Sequence, residues 1–256
     1  MAALVLPSLT LPVRRADLAA PLYSQIADNL LDQIEAGKLT PGDRLPPERD
    51  LSQQLGVNRL TLRRALRVLE SQGLLVRRQG AGTYIAEPKI ERQANQLISF
   101  TKGMSQRGYK PGARVIRCLQ RPAEAAAVRL LKLKAESPVY DIHRLRLLNG
   151  EPVLLERYLL PAARFPELHK HNLSRRSMYE VLEKEYGVTV SQARQSLEPV
   201  IATEYEAELL CVKPSAPLML ERRLSFDAAG RPIEYGKDLY RGDRFRFVTD
   251  MASLDL

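Results

Sequence analysis

Asn58-Arg59-Leu60-Thr61-Leu62-Arg63-Arg64-Ala65-Leu66-Arg67-Val68-Leu69-Glu70-Ser71-Gln72 is the stretch on which the fold turns. At about 100° per residue, Leu62, Ala65, Leu66 and Leu69 gather on one arc, the signature of a helix with a core-facing side. Arg59, Arg63 and Arg67 gather on the adjacent arc, with Arg64 a little beyond, so guanidinium groups line a second side of the same cylinder. Asn58 is suited to cap the helix, because a short side-chain oxygen can accept a hydrogen bond from a first-turn N–H. Gly73 ends it.

Working outward, Tyr23, Ile26, Ala27, Leu30, Leu31 and Ile34 recur at spacings of three and four, which predicts an earlier amphipathic helix stopped by Gly37. Pro46-Pro47 predicts the start of a second helix, with Glu48 favourable at its N-terminus and Leu51 and Leu55 inward. On the far side, Leu74–Arg78 and Thr83–Ala86 flank Gln79-Gly80-Ala81-Gly82 and read as a hairpin. A helix, a helix–turn–helix and a two-stranded ribbon make a winged helix–turn–helix over residues 21–86.

The chain has 256 residues, 45% hydrophobic and 27% charged, which excludes wholesale disorder and leaves room for a second domain. No apolar run approaches the roughly 18 residues a membrane helix needs, so no membrane partner is expected. Cys118 and Cys211 are the only cysteines, too few for a disulfide scaffold or a four-cysteine zinc site, and they suit the cytoplasm. Residues 1–20 lack periodicity and read as a loose tail rather than a secretory signal, since Arg14 and Arg15 follow the short apolar run instead of preceding it. Lysine and arginine exceed the acids by 39 − 30 = 9, which points to a polyanionic partner.

Residues 87–97 read as a linker. Beyond it, strands are expected at 115–119, 139–147, 152–160, 217–226 and 233–240, with Asn149-Gly150 a strong hairpin turn. Helices fit 123–131, 177–186 and 204–210. This predicts a second, α+β domain over 98–256 with an antiparallel sheet, and its two strand–turn–strand units hint at an internal repeat.

The chemistry follows the two halves. An arginine fork can grip guanine O6 and N7 or clamp a phosphate, and Arg59 and Arg63 stand at the start of the helix that would enter a major groove of double-stranded DNA. Asn58 and Thr61 are short polar groups fit for base or phosphate contact, while Gly80 and Gly82 let a wing approach the backbone closely. In the second half, Arg144 and Arg146 are two apart on a strand and share a face. Two cations on a buried face require an anion, which points to a phosphate or carboxylate ligand. Ser99, Thr101, Ser177 and Tyr179 could supply hydroxyls to it, and Glu156 and Glu234 acceptors. The alternative is an enzyme that uses Glu156 and Glu234 as an acid/base pair on a sugar or carboxylate substrate. His143, His169 and His171 have no metal-ligand spacing, and no phosphate loop, dinucleotide fingerprint or nucleophile elbow occurs, so neither metal nor cofactor is expected.

The segments Arg44-Leu45-Pro46-Pro47-Glu48-Arg49-Asp50-Leu51, Leu55 to Leu66, Gly73-Leu74-Leu75 and Gly80 to Tyr84 resemble the DNA-binding domain of GntR-family bacterial transcription regulators. The resemblance implies that Arg49, Arg59, Arg63 and Gly80 meet DNA. Residues 97–250 resemble the HutC-type subfamily, whose UTRA effector domain has a chorismate-lyase-like α+β fold. The matching pieces are Ser99-Phe100-Thr101, Arg144-x-Arg146, Leu155 to Pro161, Ser177-Met178-Tyr179, Leu197-Glu198-Pro199 and Glu234-Tyr235 through Tyr240 to Phe245. That resemblance implies an effector site of Phe100, Thr101, Arg144, Arg146, Glu156, Ser177, Tyr179, Glu234 and Tyr240. It further implies a homodimeric repressor whose affinity for operator DNA is controlled by a small anion such as N-acetylglucosamine 6-phosphate.

Overall fold

The computed structural model describes residues 20–78 and 80–251. All but Ala20 of the expected tail, and Gln79 of the wing turn, lie outside the described residues. The chain divides between Lys89 and Ile90 into two compact units.

In the first unit, α1 (Leu22–Glu35), α2 (Glu48–Gln54) and α3 (Arg59–Ser71) are followed by the hairpin β1 (Leu75–Arg78) and β2 (Gly82–Ile85). The apolar arcs meet: Ile26 and Leu30 of α1, Leu51 of α2, and Leu62, Ala65, Leu66 and Leu69 of α3 are all buried in one cluster. Each such leucine contributes about 1.5–3 kcal/mol by leaving water. Asn58 caps α3, its side chain accepting from the Thr61 N–H at 2.8 Å. Arg44 forms a single antiparallel bridge to Tyr84 beside the two-stranded wing. Gly82, at φ +113°, lies against the Arg44 side chain, where an added Cβ would sit 2.9 Å from Nε.

The second unit is a six-stranded antiparallel sheet built from β4 (Pro111–Pro122), β5 (Pro138–Leu148), β6 (Glu151–Pro161), β7 (Gln192–Ile201), β8 (Pro217–Phe226) and β9 (Pro232–Arg241), in the order β4-β5-β6-β9-β8-β7. Two copies of one strand–helix–strand–strand motif make it, with α5 (Ala125–Leu131) after β4 and α7 (Glu204–Leu210) after β7. Both helices end on a left-handed residue, Lys132 and Cys211, and left-handed Glu136 and Ser215 then precede β5 and β8. The hinted repeat thus runs through the whole sheet at an offset of 79 residues in these loops. On one sheet face α5 and α7 cover Leu159, Leu145 and Leu218. On the other lie α4 (Phe100–Gln106) and α6 (Met178–Tyr186), over Leu154 and Tyr240 and over Ile142 and Tyr158 respectively.

The expected linker needs correction. Ile90–Gln93 forms β3, paired in parallel with β10 (Phe245–Val248). Ile90 is buried with Phe245, so these residues belong to the second unit rather than to a free connection. A four-residue strand whose partner lies about 150 positions away leaves no local pattern.

Candidate functional site

In the first unit, α3 presents Arg59, Arg63, Arg64 and Arg67 on its exposed side. Arg63 is held by Glu48, Nε to Oε2 at 2.6 Å, and the same carboxylate takes Arg77 of β1 at 3.2 Å. Arg77 also pairs with Glu70. Glu48 stands in the first turn of α2, where the helix dipole favours a carboxylate. It therefore fixes the guanidinium row of α3 relative to the wing before any ligand arrives. Arg49 is three-quarters exposed and touches only the neighbouring Asp50. Arg64 turns away, stacking on the Tyr23 ring of α1 at 4.0 Å, so part of its work is to join two helices. Gly80, at φ +72°, has open space around it at the wing tip.

Leu60 was missed by the sequence reading. It is 77% exposed, one residue into α3, between Arg59 and Thr61. At 100° per residue it falls on the arginine side of the helix, between Arg67 and Arg64, and an apolar side chain among guanidinium groups was the available signal. Thymine alone shows a methyl group in the major groove, the natural partner for such a residue.

In the second unit, β5, β6, β9 and β8 carry polar side chains on the inner face of a sheet whose other inward residues are apolar. Arg144 is fully buried; Nη2 donates to Glu156 Oε2 at 2.7 Å and Nη1 to the Leu173 and Arg176 carbonyls. Arg146 donates to both Glu156 oxygens, to Gly112 O at 3.1 Å and to Thr101 Oγ1 at 2.8 Å, and lies over the Phe100 ring. Tyr158 donates to Glu156 at 3.1 Å. Burial alone would raise the Glu156 carboxyl, but the two guanidinium groups outweigh it and hold the pKa below the usual range.

The demand for an external anion is therefore corrected. The two arginines do share a face, but the protein supplies their counter-charge as Glu156. What remains unpaired is Arg144 Nε, a buried donor without a partner among the described residues.

Glu234 is likewise engaged. Its Oε1 accepts from Tyr179 at 2.7 Å, Ser225 at 2.9 Å and Arg223 Nε at 3.2 Å. Phe100, Arg144, Arg146, Glu156, Ser177, Tyr179 and Tyr240 line one cavity of about 20 Å³, room for little more than one water. Glu234 does not line it. A wider mouth of about 420 Å³ shares Leu97, Ser99, Ser177 and Tyr179 with that floor and adds Thr101 and Lys102. Ser177 is the N-cap of α6 but makes no side-chain cap bond, which leaves the first-turn N–H groups of that helix available.

The comparisons now bear on the arrangement. Residues 22–85 match the model for bacterial regulatory proteins of the gntR family, and residues 106–246 match the UTRA domain. The transcriptional repressor NagR of Bacillus subtilis is 37% identical over 91% of this chain and 96% of its own. The chain belongs to the gntR family. The mannosyl-D-glycerate transport/metabolism system repressor MngR of Escherichia coli is 32% identical over 89% of this chain and 95% of its own. The histidine utilization repressor of Pseudomonas putida is 30% identical over 89% of this chain and 90% of its own. Among solved structures, PhnF from Mycobacterium smegmatis superposes with a TM-score of 0.64 at 29% identity, covering 91% of this chain and all of that one. This gntR-family member is a DNA-binding transcriptional repressor with a UTRA domain for a small-molecule effector, and not an enzyme. Among the described residues, no helix is long and apolar enough to cross a membrane.

The remaining histidines have structural partners, His169 beside the Tyr140 hydroxyl and His171 beside that of Tyr186. The turn at 241–244 is structural too: Arg241 ties to Glu151, the Pro152 carbonyl and Asp243, and a Cβ on Gly242 would meet Pro217 O at 2.7 Å.

Proposed function

We propose that this repressor works as a cytoplasmic homodimer, places α3 of each copy in the major groove of a near-palindromic operator, and leaves it when a small anionic metabolite fills the second unit. Arg59 and Arg63 read bases, Asn58 and Thr61 add short polar contacts, and Arg49, Arg64 and the Gly80 wing tip hold the phosphate backbone. The anionic end of the effector sits in the mouth beside Lys102, Thr101, Ser177 and the N-terminus of α6. Its hydroxyl-rich end reaches the floor of Arg144, Arg146, Glu156, Phe100, Tyr179 and Tyr240, with Glu234 holding Tyr179 in place. An amino-sugar phosphate such as N-acetylglucosamine 6-phosphate has this polarity. The mannosyl-D-glycerate and histidine named for two relatives also carry a carboxylate beside other polar groups.

The unpaired Nε of fully buried Arg144, at a floor that opens into a ligand-sized mouth, carries this reading. Fluorescence anisotropy with the promoter fragment of the chain's own operon tests it. Binding should exceed that to random duplex by at least about a thousandfold. Added N-acetylglucosamine 6-phosphate should release the fragment, whereas equal binding to both duplexes would defeat the proposal at its root.

A further inference from the structure

The floor contains more charge than the residues discussed so far. Across β5, β6, β9 and β8, the register sets Arg144 opposite Glu156, Glu156 opposite Asp238, and Asp238 opposite Glu221. Three carboxylates thus stand side by side on three neighbouring strands, all buried. Directly opposed like charges are destabilising even on an open sheet. Arg223 serves two of the three, Nη1 to Glu221 Oε1 at 2.6 Å and Nη2 to Asp238 Oδ2 at 3.2 Å. It passes over Gly236, where an added Cβ would come to 3.4 Å from Arg223 Nη2, an ordinary contact.

Three carboxylate oxygens are left over. Glu221 Oε2, Asp238 Oδ1 and Glu234 Oε2 are buried and accept no hydrogen bond among the described residues, and of these residues Glu221 and Asp238 line the cavity. Arg92 Nε of β3 lies 3.8 Å from Glu221 Oε2, an ion pair without a hydrogen bond. A buried charged acceptor left unmade costs more than an ordinary lost bond.

Charge balance defines what would satisfy these oxygens. Arg92, Arg144, Arg146 and Arg223 face Glu156, Glu221, Asp238 and Glu234, four cations against four carboxylates. With all four carboxyl groups ionised, an anionic effector entering this balanced set leaves surplus negative charge in a dry floor unless it brings a cation of its own. A hydroxyl would fill the hydrogen bonds but not the balance. We propose that Glu221 and Asp238 form a subsite for a protonated amine, so that a ligand with its anion in the mouth and an ammonium at the floor binds more tightly than the same ligand without the amine. The placement of the anion rests on the effector reading above; the ammonium subsite rests on the unpaired oxygens of Glu221 and Asp238. Burial, with Glu156, Glu221 and Glu234 close by, raises the Asp238 carboxyl well above its usual range in spite of Arg223. A cation bound beside it would bring that carboxyl back toward its ionised form.

The test is calorimetric titration of the full chain with two matched pairs, glucosamine 6-phosphate against glucose 6-phosphate and glucosamine against glucose. In each pair the amine should bind at least about tenfold tighter, the effect of a charge-assisted bond to a buried carboxylate. Asp238→Asn and Glu221→Gln should each bring the pair to within about twofold while leaving glucose 6-phosphate binding in place. Equal affinity within both pairs in the unaltered protein overturns the subsite without reliance on any variant, as does a preference that survives both substitutions. If neither phosphate binds but glucosamine outbinds glucose, the phosphate reading falls and the ammonium subsite stands. No binding of any of the four sinks both.

Discussion

Glu156→Gln removes the charge that two buried guanidinium groups share while keeping the volume of the side chain. In the folded chain Arg144 and Arg146 make three contacts with this carboxylate at 2.7–3.3 Å, and neither arginine has another carboxylate within ion-pair distance among the described residues. Breaking a buried pair by neutralising one partner costs about 3–5 kcal/mol, because the remaining charge stays desolvated. The amide also turns one acceptor into a donor, facing Arg144 or Tyr158. For a unit of this size a kilocalorie corresponds to about 2–4 °C, so the melting temperature should fall by roughly 10 °C. Differential scanning calorimetry of the full chain, with promoter binding measured below the transition, separates this from any effect on the first unit. DNA affinity at 15 °C should be unchanged. A fall of less than about 2 °C would refute the reasoning, since it would mean that Arg144 and Arg146 reach solvent or another anion once Glu156 is neutral.

Other consequences are sharper in direction than in size. Arg63→Ala should weaken promoter binding by about 1–3 kcal/mol, relax discrimination at one base pair and leave effector binding intact; titrations of both ligands decide it. Leu60→Ala should lose preference for thymine at one position, and replacing that thymine by deoxyuridine should cost the parent protein as much as the substitution does. If uracil and thymine bind alike, Leu60 touches no methyl group. Asp141 is buried on the outer sheet face, and although burial raises its carboxyl, hydrogen bonds from Arg157 and Arg121, with Arg117 near, bring it well below the usual range. A depressed folded pKa stabilises above the unfolded value near 3.9 and the benefit is lost as acid protonates the group. Asp141→Asn should therefore melt lower than the parent at pH 7, with the gap narrowing steadily below about pH 4; a gap independent of pH would count against it.

Most of the first unit was legible because each local signal agreed with the next. The arc of Leu62, Ala65, Leu66 and Leu69, the Asn58 cap and the glycines of the wing all specify one helix and one ribbon without distant information. In the second unit the strands around Asn149-Gly150 and Gly230 announced themselves by alternation and turn chemistry. Edge strand β7 did not, for its side chains are at best half-buried, so polarity does not alternate with any face. Helix α4 is seven residues long and contains Gly103, too short for a period to register. The paired roles of Arg144 and Glu156 could not be foreseen, since their register across β5 and β6 is set by bulges and a turn that spacing does not specify. Glu221, Arg223 and Asp238 left only a blurred trace, because Arg222 and Lys237 stand beside them and put charge on both faces of the strands. Without the sheet order nothing marked those positions as inward-facing.

Strand β3 gives the floor a mechanical exit. Arg92 belongs to the first four residues of the second unit, the place where the backbone departs toward the DNA-reading helices. Its side chain rests over the Tyr240 ring and beside Glu221, while Phe247, its cross-strand neighbour, meets the same ring edge-on. A guest that occupies Glu221 takes away the counter-ion of the tether's own anchor. An ammonium at Glu221, as proposed, would thus compete with Arg92 two residues after the second unit begins.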